Sequence, residues 1–87
     1  ALTIKELRRG NLIEAVAFYH AFTLRPLVEA LRMAHCPARY NFHTRYVYYD
    51  LPAAVARRLE PLFLPGDAAD LERKRAEAET WFGELLR

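Results

Sequence analysis

The sequence predicts an all-α fold: a small bundle of four or five helices with a long, Pro-kinked central helix. Three observations carry that prediction. Apolar residues recur at helical spacing from Leu12 to Met33, and they spill around most of the helix circumference. The C-terminal segment, from about Ala68 to Leu86, sets Leu71, Ala78 and Leu85 seven apart and adds Trp81 and Phe82, which makes one buried stripe. Only Thr44–Tyr49 is β-branched and aromatic enough to resemble a strand, and no second run can pair with it.

Each element follows from local signals. Thr3–Arg9 reads as a short helix closed by Gly10 in the left-handed conformation, with Asn11 as the cap of the next helix. That next helix runs from Leu12 to about His35 and is the core helix. Pro26 lies inside it and removes a backbone donor, so a kink between Phe22 and Pro26, or a break near Thr23, is expected. Pro37 blocks continuation, and residues 36–50 read as an irregular connector or short helix. Asp50-Leu51-Pro52 is a helix-start signature with an acidic cap, and Leu51, Val55, Leu59 and Leu62 form one face behind it, with Pro61 bending the end. Pro65-Gly66-Asp67 is a turn, Asp67 caps the last helix, and Arg73–Glu77 and Arg75–Glu79 are paired four apart on its wet face.

Length bounds what such a chain does. Its 87 residues make one domain, 1–87, with a single core and little room for a deep enclosed active site. Glu14, His20, Arg25 and Glu29 interrupt the longest apolar stretch, so no membrane span is expected. The chain opens on Ala1, lacks the zones of a signal peptide, and has one cysteine, Cys36. These features predict a cytoplasmic protein and a piece of a longer one.

Charge is unevenly placed. Residues 1–58 carry nine basic and four acidic side chains, whereas residues 59–87 carry four basic and seven acidic ones. The basic excess is nearly all arginine, whose planar fork matches phosphate and carboxylate, so a small anion is a candidate ligand. A solvated surface answering the acidic tail is the alternative. A pI near 8.9 with split charge is a weak nucleic-acid footprint.

Several chemistries are excluded. Three scattered glycines cannot build a phosphate loop, and the absence of serine removes a Ser-His-Asp triad. His20, His35, Cys36 and His43 lack metal-ligand spacing, so no metal site is expected. Cys36 reads as a small core residue after a helix end. The best ligand-contacting segment is Arg39-Tyr-Asn-Phe-His43-Thr-Arg45-Tyr46, which joins cations, an imidazole and aromatic faces; its alternative role is to plug the end of the core. Glu14 and His20 are polar residues on the most apolar helix and can face a cleft or an adjoining domain.

The residue order also resembles a known family. Leu7-Arg-Arg-Gly-Asn-Leu-Ile-Glu-Ala15, the Leu-rich helix ending Leu31-Arg32, then Arg45-Tyr46, Asp50-Leu-Pro52, Gly66-Asp67 and finally Trp81-Phe82 with Leu85-Leu86 look like the C-terminal helical domain of minimal nucleotidyltransferases. That family includes the aminoglycoside adenylyltransferases. The resemblance implies an accessory domain closing one side of the acceptor cleft, with Glu14 and His20 facing it and Arg39, His43, Arg45 and Tyr46 at its rim. It places magnesium and the nucleoside triphosphate in a separate N-terminal catalytic domain bearing Gly-Ser and Asp-x-Asp motifs, which this chain lacks. The expected partners are that domain or another copy of this chain. A further option, a ribonuclease-type helical domain, needs Arg and His separated by four to six residues, and Arg39 and His43 have three between them.

Overall fold

In the computed structural model, which describes residues 2–87, helix α1 spans Leu2–Arg8 and stops where Gly10 adopts a φ of 77°. The Gly10 N–H bonds the Leu7 carbonyl at 3.1 Å and the Asn11 N–H bonds the Glu6 carbonyl at 2.9 Å, the paired closure of a Schellman turn. Asn11 stands at the start of the next helix but makes no side-chain cap there. Its Nδ2 donates to Glu6 Oε2 at 2.8 Å instead, because Glu6 is buried and its carboxylate needs donors.

Helices α2 (Leu12–Tyr19) and α3 (Arg25–His35) are joined without a break by a π-helical segment, His20–Leu24. The expected Pro kink or break at Thr23 is therefore replaced by a widened turn. Backbone angles stay helical on both sides, with φ −58° and ψ −48° at Tyr19 and φ −60° and ψ −49° at Arg25. The Arg25 N–H bonds the His20 carbonyl five residues back. Widening the turn at this point absorbs the donor that Pro26 lacks and eases the clash of its ring with the preceding turn. The same extra residue explains the burial pattern, in which Ala15 and Tyr19 are followed by Leu24 at a spacing of five, then by Leu27, Val28 and Leu31.

That buried stripe packs on Leu71, Ala78 and Trp81 of helix α6 (Ala68–Leu85) and on Leu51, Leu59 and Leu62. Tyr19 Oη donates to the Leu62 carbonyl at 2.5 Å, pinning the 3-10 turn Glu60–Phe63 to the central rod. Asp67 caps α6 by accepting from the Asp70 N–H at 2.8 Å. On the wet face Arg75 meets Glu79 at 2.6 Å, but Arg73 turns back to Asp70 at 2.7 Å rather than forward to Glu77.

The connector begins with a 3-10 segment, Pro37–Phe42, and ends in a single helical turn, α4 (Val47–Asp50). Helix α5 (Ala53–Leu59) then starts behind Pro52, so Asp50 is not its cap. Among the described residues there is no strand, and no helix is long and apolar enough to cross a membrane.

Candidate functional site: an arginine clamp and a two-histidine cleft

One residue organises the connector. Arg32 is fully buried in the rod, and its guanidinium leaves no donor nitrogen idle. Nε donates to the His43 carbonyl at 2.6 Å, Nη1 to Asp50 Oδ2 at 2.7 Å, and Nη2 to the Arg45 carbonyl. Nη1 also reaches the Arg39 carbonyl at 3.4 Å. The second Asp50 oxygen accepts from Arg39 Nη1 at 2.8 Å. Hydrogen bonding from Arg32 holds the Asp50 carboxyl below its ordinary range, with Arg39 adding to the effect. The pair is what permits a full charge inside an apolar rod.

This clamp fixes the backbone on which the histidine sits. His43 takes φ 56° and ψ −124°, and Tyr46 takes φ 60° and ψ 24°, both in the positive-φ region that ordinary side chains avoid. The Arg32 bonds to the His43 and Arg45 carbonyls hold that backbone in place. His43 Nε2 lies 2.9 Å from Arg25 Nη2. A guanidinium only donates, so Nε2 is the acceptor and the ring proton sits on Nδ1. Nδ1 is buried with no hydrogen-bond partner.

His43, Arg25 and His20 line one cleft of about 270 Å³, together with Leu24, Val28, Thr44 and Phe63. The His20 ring packs on Phe63 at 5.6 Å between centroids and edge-on to Tyr19 at 5.8 Å. A larger cleft of about 540 Å³ adjoins it, and Thr44 and Phe63 line both. Its walls include Val47, Ala56, Leu59 and Leu64, and Tyr48 Oη donates to Glu60 Oε2 at 2.6 Å, both residues among those lining it.

Of the six residues singled out from the sequence, the structure brings His20 and His43 together. Arg39 is bound to Asp50 and stacks near the rings of Phe42 and Tyr49 at 5.6 and 5.7 Å. Arg39 and His43 thus engage different partners. Arg45 lies over the Tyr46 ring at 5.6 Å on the exposed side of the connector. Glu14 is exposed on α2 and lines neither cleft. Arg25 is the member sequence reasoning missed. The usable signal is the Tyr19–Leu24 spacing, which marks the widened turn that sets His20 and Arg25 beside the same cleft.

The fold defines an all-α helical domain with a basic cleft between its central rod and its connector. No protein-family model, curated protein or solved structure matches the chain. Among the described residues no three His, Cys, Asp or Glu side chains are grouped so as to hold a metal ion.

Proposed function

We propose that this chain is a helical accessory domain that works beside a nucleotidyltransferase catalytic domain, closes one side of the acceptor cleft, and is inert in nucleotidyl transfer alone. The observation that supports this reading is the bare second face of the central rod. Ile13 is 88 % exposed and Phe22 61 % exposed, with exposed Ala17 and Ala21 between them, while the opposite face is sunk in the core. Contiguous exposed apolar surface of this kind marks a place where another body packs. The resemblance carried by the residue order supplies the identity of that body.

Magnesium and the triphosphate belong, on this reading, to the separate catalytic domain. The cleft chemistry also narrows the acceptor. The Arg25 guanidinium suits an oxygen atom, hydroxyl or anionic, and repels an ammonium group. The acceptor group received here is therefore an oxygen function rather than an amine.

The test is the coding sequence upstream of residue 1, together with the activity of both proteins. A frame continuing into Gly-Ser and Asp-x-Asp motifs, with transfer by the longer protein and none by the 87-residue chain, is expected. Transfer by the short chain itself overturns the reading. The bare face favours a second reading, self-association through that surface, which a clean monomer by sedimentation at micromolar concentration removes.

A further inference from the structure

We infer that the two adjoining clefts form a single binding site for a small amphipathic anion, a carboxylate or phosphate ester carrying an apolar body. The inference goes beyond the accessory-domain reading and does not depend on it, since the site lies wholly within this chain.

The two ends of the site differ in chemistry. At one end Arg25, His20 and His43 converge with no acidic side chain among the lining residues. The His43 Nδ1 proton has no acceptor but is closed off from solvent, so the donor the cleft presents to an anion is the exposed Arg25 guanidinium. Arg25 makes no ion pair among the described residues. Its one side-chain bond is to a neutral ring nitrogen, a weaker partner than a carboxylate or phosphate. At the other end Val47, Leu59, Phe63 and Leu64 offer an apolar trough, in the size range that small ligands occupy.

Phe63 and Thr44 border both clefts, so a ligand crossing from one to the other passes along the Phe63 ring and the Thr44 side chain. The arrangement is also polarised. Glu60, hydrogen-bonded to Tyr48, and Arg57 both line the apolar cleft, so opposite charges offset each other there, whereas the histidine end carries Arg25 and no acid. The charged head is thereby directed to the histidine end and the apolar body to the trough. The charge-matched head and the apolar volume beside it commit the occupant to one class, a molecule with both properties.

The experiment is an NMR titration of the purified chain with octanoate, benzoate and phenyl phosphate. Acetate and inorganic phosphate serve as head-only probes, and benzyl alcohol as a body-only probe. The amphipathic probes are expected to shift both the His43 ring signals and the Val47 and Leu59 methyls, with affinity at least tenfold tighter than any half-probe. Carboxylate against phosphate tells which head is preferred. Arg25→Gln and Leu64→Asp alter exposed side chains, so the fold should persist while affinity falls at least tenfold in each. Equal binding of acetate and octanoate, equal binding of benzyl alcohol and benzoate, or unchanged affinity in Arg25→Gln overturns the inference. None of these readouts involves nucleotide transfer, so failure here and failure of the transferase reading are separable.

Discussion

Arg32 Nη1 and Asp50 Oδ2 meet at 2.7 Å with side chains 0 % and 4 % exposed, which makes an ion pair the internal anchor of the connector. An arginine so deep in an apolar helix is tolerated only because each of its nitrogens finds an acceptor. The carbonyls it holds belong to His43, Arg45 and Arg39, three of the residues that the sequence marks as candidate ligand contacts. The connector is thus a clamped segment in which backbone strain at His43 and Tyr46 is offset by bonds to a single side chain.

Arg32→Ala tests the clamp. The change leaves Asp50 with Arg39 alone and strips the His43 and Arg45 carbonyls of their donor, at a cost of about 3–5 kcal/mol. A domain of this length has a total stability of roughly 4–13 kcal/mol on the usual per-residue scale, so the variant sits near unfolding. Arg32→Lys keeps the charge but not the fork, and should lose the His43 position while retaining more stability. Urea denaturation measures the first effect and the His43 ring chemical shift the second; unchanged shifts in Arg32→Lys would count against the clamp.

Acid should weaken the fold through Asp70 and Asp50. The Lys74 ammonium, followed by the Gly66 N–H, lowers the Asp70 carboxyl to about 2, and Arg32 lowers Asp50. Both folded values lie below the unfolded carboxylate range near ~4. The stabilisation is complete above that range and is lost as pH falls toward the folded values. Melting temperature is therefore expected to drop as pH falls from ~4 to ~2, and Asp70→Asn to flatten that drop. A melting curve with the same acid limb in the variant would remove Asp70 from the account.

Much of this architecture is legible in the sequence, and the exceptions share a cause. Helix positions, the Gly10 stop, the Asp67 cap and the Leu51-Val55-Leu59-Leu62 face follow from local pattern, because capping and amphipathicity act within a few residues. Asp50 also obeys the local cap pattern, and that pattern misleads. Its tertiary partner lies 18 residues earlier, and a buried guanidinium outcompetes a helix terminus for the carboxylate. Pro26 marks a disturbance in the rod, but whether the helix kinks or widens depends on keeping Tyr19 and Leu24 on one buried face. His20 and His43 are 23 positions apart, and only that widened turn and the Arg32 clamp bring them to one cleft.

Two glycines should respond in opposite directions to the same substitution. Gly10 sits at φ 77° with open space where a methyl group would stand, nothing lying within 4 Å of it, so Gly10→Ala meets only backbone strain, costing about 1–2 kcal/mol. Gly83 lies inside α6 with equally open space, so Gly83→Ala should stabilise by about 0.5–1 kcal/mol. Chemical denaturation of both variants checks the signs, and stabilisation by Gly10→Ala would be incompatible with the Schellman turn.

Tyr19 joins the rod to the turn after α5, and it gives the fold an alkaline limit. Burial raises its hydroxyl pKa well above the ordinary tyrosine value, and the charges of Glu77 and Asp70 add to the effect. The hydroxyl donates to the Leu62 carbonyl, so ionisation removes a donor and places a charge in the core. Because the folded value lies above the unfolded one near ~10, the stabilisation is complete below that pH and declines as pH rises past it. Tyr19→Phe leaves the Leu62 carbonyl unpaired and should cost about 1–3 kcal/mol at neutral pH. The same variant should abolish the part of the alkaline decline that Tyr19 supplies. Denaturation at neutral and alkaline pH, with ultraviolet absorbance following phenolate formation, separates the two effects. Full ionisation of Tyr19 in the folded chain near pH ~10 would contradict the buried bond.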